Sequence, residues 1–179
     1  IINNETGTVR PVDYGKISES VTHSWYDYPS GVDSLHPSEG ITEFNVQKAD
    51  AYSFIKSPRY DGSPMEVGPL ARGLVNKYPE LLGFIAMGAK PGTVARHLCR
   101  AVESKMVAET GLAWIDRLIE ISTAGPYSAM RESKIPDEAK GMGVWDAPRG
   151  ALGHWVEIKG RRIKNYQMVV PTTWNAGPR

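Results

Sequence analysis

The chain has 179 residues, 41% hydrophobic and 23% charged, proportions that suit one globular domain or a piece of a larger one. Its 21 basic and 20 acidic residues leave a net charge of +1, so there is no general electrostatic case for nucleic acid or an anionic membrane surface. A single cysteine, Cys99, excludes an intrachain disulfide and any thiolate cluster made from this chain alone. No apolar run is long enough to cross a bilayer, and no secretory signal is visible.

The expected elements begin with a short strand around Thr8–Val12. Ile17, Val21 and Trp25 then fall four apart, which predicts a short helix capped by Asp13. SWYDYPSGVDSLHPSEG is rich in Pro, Gly, Ser and aromatic residues and reads as a loop lying over other structure. Met65–Tyr78 reads as a helix with Pro69 in its first turn, and a second short helix follows from Pro79 to Met87. After the break at GAKPG, Thr93 is a candidate N-cap. Val94, Leu98, Val102 and Met106 form an apolar stripe that Trp114, Leu118 and Ile121 continue to about Ser122, with Gly111 the place for a bend. AGPYSAMRESKIPDEAKG is polar and broken, hence a loop. VEIKGRRIKNYQMVV predicts a β-hairpin turning near Gly160 and ending at Pro171. The expected fold is a helix-rich α+β segment with a long central helix and a C-terminal β-hairpin.

Chemistry-bearing residues are few. His23, His36, His97 and His154 form no metal-ligand spacing. His97 reads as a packing or surface residue, and His154, close in sequence to Arg149, as a supporting group near it. Cys99, beside Leu98 on the long helix, reads as a small buried hydrophobe. Glu66 near a helix start suits the helix dipole, and Arg59 and Arg72 read as members of structural salt bridges. The stretch DAPRGALGHW stands apart. Pro148 restricts Ala147, and Gly150 allows a sharp turn after Arg149, so the guanidinium projects from a preset loop. If the hairpin folds back, Arg149 approaches Thr172, and together they form a donor-rich pocket for an anion or a ligand with strong acceptors. The equally weighted alternative is a surface pair between Arg149 and Asp146.

Several stretches taken together resemble one family. VTHSWY, SLHPSEGIT, KSPRYDGSPMEVGPLAR, WDAPRGALGHW, NYQMVVPTTWN and the terminal PR are similar to the large subunit of nickel–iron hydrogenases, most closely the uptake, membrane-associated group. The resemblance runs over nearly all of residues 1–179, which on this reading form part of a single large-subunit domain. It implies an oxidoreductase that splits hydrogen into protons and electrons. It also implies a nickel–iron centre carrying cyanide and carbon monoxide, a magnesium ion, and an iron–sulfur small subunit as partner. The location it implies is the periplasmic side of the bacterial cell membrane, reached only indirectly through partner subunits.

The family holds its metals with two CxxC motifs, and neither is present here. The chain therefore reads as an internal to C-terminal fragment, expected to bind no metal and to be inactive alone. What the resemblance assigns to this chain is the layer around the metals. Arg149 matches the catalytic guanidinium over the open metal position. Pro148 and Leu152 match residues lining the diatomic ligands, and Val170, Pro171 and Thr172 the stretch beside them. Met168 matches a position whose backbone carbonyl binds magnesium. Two other classes compete: a metal-free relative such as a quinone-side subunit of respiratory complex I, and a soluble interaction domain with Arg149 in a surface salt bridge.

Overall fold

The computed structural model describes residues 1–2, 6–126, 128, 130 and 133–178. Asp13 does cap, but what it caps is a single 3-10 turn, Tyr14–Lys16, with its carboxylate accepting from the Gly15 amide. The chain then extends into β1 (Ile17–Ser20) and not into the expected helix. The apolar spacing of Ile17 and Val21 is satisfied by a strand whose alternate residues point inward, with Ile17, Glu19 and Val21 buried. Short strands β2 (Tyr26–Asp27), β3 (Ser34–Leu35) and β4 (Glu43–Phe44) follow, and then β5 (Ser57–Tyr60). β1 is central to an antiparallel sheet in the order β3-β1-β5, while β2 pairs with β4. The aromatic loop covers other structure as its composition suggested: Tyr28 is buried and its hydroxyl donates to the Glu19 carbonyl. The strand expected at Thr8–Val12 is reduced to one bridge between Ile2 and Val9.

Three helices come next: α1 (Pro69–Val75), α2 (Pro79–Ala86) and α3 (Thr93–Thr123). Pro69 and Pro79 each open a helix, where a missing N–H costs nothing. The expected start at Met65 is too early, because Gly68 has φ 95° and ψ −157° and cannot belong to a helix. Thr93 is the first helical residue, and Gly92 takes the cap position. The three helices meet over Leu70, Leu81, Ala95 and Cys99, with Leu74, Tyr78, Phe84 and Ile85 packed on them. The inward face of α3 is thus set by Ala95 and Cys99, while Val94 of the expected stripe is exposed. Small residues win at this contact because α1 approaches closely at Gly73, where an added Cβ would stand 3.0 Å from the Cys99 sulfur. Farther along α3, Val107, Leu112, Trp114, Ile115, Leu118 and Ile119 are all exposed.

The C-terminal part holds β6 (Glu138–Ala147), β7 (Gly150–Lys159), β8 (Arg162–Val169) and α4 (Pro171–Ala176). The hairpin expected across Gly160 is present as β7 and β8. β6, which falls partly in the expected loop, pairs along the whole length of β7 and makes β7 the centre of a three-stranded antiparallel sheet. The sequence hid β6 because Lys140, Gly141 and Gly143 break its alternation. α4 was also missed, since PTTWNA is too short to show a helical period. Ile17, Trp155 and Val169, backed by Tyr60 and Trp174, form a second core cluster that joins β1 to β7, β8 and α4. No described helix is long and apolar enough to cross a membrane.

Candidate functional site: an arginine turn braced from three sides

Ala147 pairs with Gly150 across β6 and β7, so Pro148 and Arg149 alone form the connection between the strands. Arg149 therefore sits at the tip of a tight two-residue turn. Its side chain is exposed, and among the described residues no carboxylate pairs with it. The expected alternative, a pair with Asp146, is overturned: Asp146 accepts instead from Arg72 Nη1 at 2.6 Å.

Arg72, on α1, does most of the bracing. Its Nε and Nη2 donate to the two carboxylate oxygens of Glu103 on α3, at 2.6 and 2.7 Å. Nη1 also donates to the Ala147 carbonyl, and Nη2 to the Pro148 carbonyl, each at 2.9 Å. One guanidinium thus ties α1, α3 and both backbone carbonyls that lead into Arg149. Bidentate charge-assisted bonds of this kind are short and geometrically specific. The Tyr78 hydroxyl donates to Glu103 as well, which fixes the carboxylate from a further side. Burial and the Glu103 charge raise the Tyr78 pKa and keep it a donor.

A second brace is backbone against backbone. Gly68 and Gly150 both have positive φ, 95° and 133°. A Cβ on Gly68 would lie 2.7 Å from the Arg149 carbonyl oxygen, and one on Gly150 only 2.5 Å from Val67 Cγ2. Only glycine at both points lets the loop before α1 touch the turn. The third brace is α4: Asn175 Nδ2 donates to the Arg149 carbonyl at 3.1 Å. The approach of α4 to this turn that the sequence led us to expect at Thr172 is made by Asn175. Thr172 lies exposed in the first turn of α4, Pro171 is its buried first residue, and Val170 caps it. Met168 stands opposite His154 between β8 and β7.

Arg149 faces a cavity of about 520 Å³ that it shares with Glu66, Arg96, Arg100, Trp174 and Asn175. Glu66 is paired with Arg96 at 2.7 Å, so its role is an ion pair and not the helix-dipole contact expected of it. With that pair neutral, Arg100 and Arg149 leave the cavity net positive. An adjoining cavity of about 450 Å³ is largely apolar and is lined by Leu152 together with Val67, Val169, Trp155 and Trp174. Leu152 and Arg149 therefore belong to neighbouring spaces, one apolar and one rich in donors.

Other expectations resolve as follows. Cys99 is fully buried in the helix cluster, and burial followed by the Glu103 charge pushes its thiol pKa up. His154 turns from Arg149 to Tyr166, bonding its hydroxyl through Nδ1 at 2.6 Å. His97 is exposed. Arg59 donates to the Pro58 and Pro178 carbonyls rather than to an acid. Among the described residues, no group of three or more His, Cys, Asp or Glu is placed to hold a metal.

Sequence reasoning missed two features. One is the Arg72 brace, for which the long separation from Glu103 and Asp146 leaves no local signal. The other is the buried carboxylate of Glu19, paired with Lys56, which in turn donates to Gln167 Oε1 at 3.0 Å. Glu19 Oε1 is buried without a partner, and Gln167 directly precedes Met168. The strict alternation around Glu19 was its only trace in the sequence.

Comparison with known proteins identifies the family. A family model described as nickel-dependent hydrogenase matches residues 1–179. The uptake hydrogenase large subunit of Bradyrhizobium diazoefficiens is 38% identical over 215 residues, covering 100% of this chain and 36% of its own. The hydrogenase-1 large chain of Escherichia coli is 36% identical, again covering 100% of this chain and 36% of its own. A solved structure of a reduced, active Ni-Fe-Se hydrogenase from Desulfomicrobium baculatum superposes with a TM-score of 0.80 at 38% identity, over 95% of this chain and 37% of that one. The chain spans a little over a third of the length of these relatives. Sequence motifs, fold and family match agree along its whole length, and the chain belongs to the nickel-dependent hydrogenase family, as a portion of the large subunit.

Proposed function

We propose that this chain forms one wall of the metal pocket in a nickel–iron hydrogenase that oxidises hydrogen to protons and electrons. The observation that carries this is Arg149: an unpaired guanidinium on a turn braced by Arg72, by the glycine contact and by Asn175, facing a net-positive cavity. A cation on so firmly braced a turn, with no acid of its own among the described residues, suits a partner with strong acceptors that comes from outside the chain. Iron-bound cyanide is such an acceptor. The family's centre supplies the cleavage of hydrogen and the uptake of its electrons.

The fit is limited to the surroundings of the metals. The one thiol, Cys99, is closed inside the helix cluster and cannot be a ligand where it stands. The nickel and iron ligands belong to other segments of the large subunit, whose single domain residues 1–179 would share. Around the centre, Arg149 would donate hydrogen bonds to cyanide and would hold a proton at its guanidinium on this side of the pocket. Pro148 keeps the guanidinium at its station. Leu152 offers an apolar wall to carbon monoxide, a poor acceptor. Val170, Pro171 and Thr172 would line the neighbouring side, with the Thr172 hydroxyl and backbone N–H as further donors, since Pro171 has no N–H and the Thr173 amide is bonded to the Val170 carbonyl. The Met168 carbonyl would serve magnesium; Gln167, beside it in the chain, accepts from Lys56, which is paired with the buried Glu19.

In this reading an iron–sulfur small subunit takes the electrons, as the names of the relatives as large subunits suggest. The assembly sits at the periplasmic face of the cell membrane, attached through partners. The test is Arg149→Lys in the complete enzyme. Hydrogen oxidation falls by about 100-fold or more while nickel and iron content stay at wild-type levels, since lysine keeps the charge and loses the planar fork. Near-normal turnover in that variant would remove the proposed role of Arg149.

A further inference from the structure

We infer that Arg72, together with Glu103, is the positioning device for Arg149. This deepens the role proposed for Arg149 and rests on that reading. Arg72 does not face the cavity that Arg149 shares. Its guanidinium instead holds the last carbonyls before Arg149, those of Ala147 and Pro148. These two bonds fix the path of the chain into the turn, while Asn175 fixes the Arg149 carbonyl on the way out. With the backbone pinned on both sides, the Cα–Cβ direction of Arg149, and so the base from which its guanidinium reaches, is set before any ligand arrives.

The bonding to Glu103 explains why Arg72 can do this. Its side chain is 18% exposed and that of Glu103 is 17%, so the pair is mostly withdrawn from water. Glu103 lies on α3 one turn beyond Cys99, which with Ala95 is buried in the helix cluster. A carboxylate on that scaffold orients the guanidinium plane. The remaining donors of the fork then point at the turn and at Asp146. Hydrogen bonding to Glu103 raises the Arg72 pKa, and the group stays charged throughout. The device is thus a relay of geometry: helix α3 to Glu103, Glu103 to Arg72, Arg72 to the carbonyls of the turn, and the turn to Arg149. Lysine in place of Arg72 keeps a charge but cannot reach Glu103 and two carbonyls in fixed directions at once.

The experiment uses the complete, metal-loaded enzyme and compares Arg72→Lys and Glu103→Gln with Arg149→Lys. Three quantities are read: turnover, the KM for hydrogen, and the infrared stretching bands of the iron-bound cyanides. A fourth reading, amide hydrogen exchange over residues 146–151, is taken on the metal-free large subunit. Arg72→Lys is expected to lower kcat by roughly 10- to 100-fold with KM within about twofold, the pattern of a misplaced group. Its cyanide bands shift in the same direction as those of Arg149→Lys, and exchange over the turn rises at least about tenfold, as loss of local protection demands. Glu103→Gln shows the same changes at smaller size. If Arg149→Lys alters bands and turnover while both other variants leave them at wild type, the positioning role is overturned and the role of Arg149 survives. If Arg149→Lys itself changes nothing, the parent reading fails. Should Arg72→Lys prevent metal loading, Glu103→Gln and the exchange measurement still decide: unchanged exchange over the turn in both variants overturns the inference.

Discussion

The contact between Gly68 and the Arg149 turn gives the sharpest quantitative test of the site. Substituting Gly68→Ala adds one methyl group at φ 95°, ψ −157°, a region that residues with a side chain almost never enter. That backbone conflict costs about 1–3 kcal/mol. The new carbon also stands 2.7 Å from the Arg149 carbonyl oxygen and 3.2 Å from its carbonyl carbon, whereas ordinary contact starts at 3.4 Å. Neither neighbour is the end of a flexible side chain, so the turn itself must retreat by roughly 0.7 Å, and overpacking of this kind costs about 1–3 kcal/mol more. The expected destabilisation is about 2–6 kcal/mol, measured by urea unfolding of the large subunit. A retreat of that size also moves the base of Arg149, and turnover should fall by about 10- to 100-fold even where the variant folds. Gly111→Ala is the comparison. It lies inside α3 with no atom within 4 Å of the added carbon, and is expected to stabilise by about 0.5–1 kcal/mol. If Gly68→Ala changes stability by less than about 0.5 kcal/mol and leaves turnover intact, the close approach of the two backbones is not what holds the turn.

Two further predictions concern groups away from the turn. Burial raises the Glu19 pKa above the usual carboxylate value, more than Lys56 lowers it. An acid whose folded-state pKa is raised stabilises fully below its unfolded pKa, and that stabilisation is lost as pH rises through the folded value. Glu19→Gln should therefore flatten the decline in stability between weakly acidic and neutral pH, as read from urea midpoints across that range. An unchanged slope would contradict the burial of this carboxylate. Cys99 has no exposed surface and a raised thiol pKa, so it should resist iodoacetamide in the native chain and react fully in denaturant. Rapid native alkylation would mean that the α1–α2–α3 cluster is open.

Much of the site was legible in the sequence because its signals are local. Pro148 and Gly150 flank Arg149 within three residues, and each acts on the backbone at its own position, so the preset turn is visible without a fold. Pro69 and Pro79 likewise mark helix starts by their own chemistry. The long helix α3 announced itself by length and period, although its buried face did not. Cys99 faces inward where α1 comes so close at Gly73 that little room is left for a larger side chain, and Ala95 is buried in the same cluster.

What the tertiary structure alone decided are contacts between residues far apart in the chain. The spacing of Ile17, Val21 and Trp25 fits a helix in isolation, yet pairing with β3 and β5 makes that segment a strand, since ladder bonds to both neighbours satisfy a backbone that no local signal commits. β6 has little strand character of its own and exists because β7 offers it a full edge. Asp146 sits three residues from Arg149, but Arg72, which lies 74 residues away from it along the chain, takes that carboxylate, and this leaves Arg149 without an acid among the described residues. The sequence by itself determined the residue types, the turn that carries the guanidinium and the family motifs. Only the folded chain decided which charges neutralise one another and which one remains free to act, because pairing depends on distance in space, and proximity in sequence does not report it.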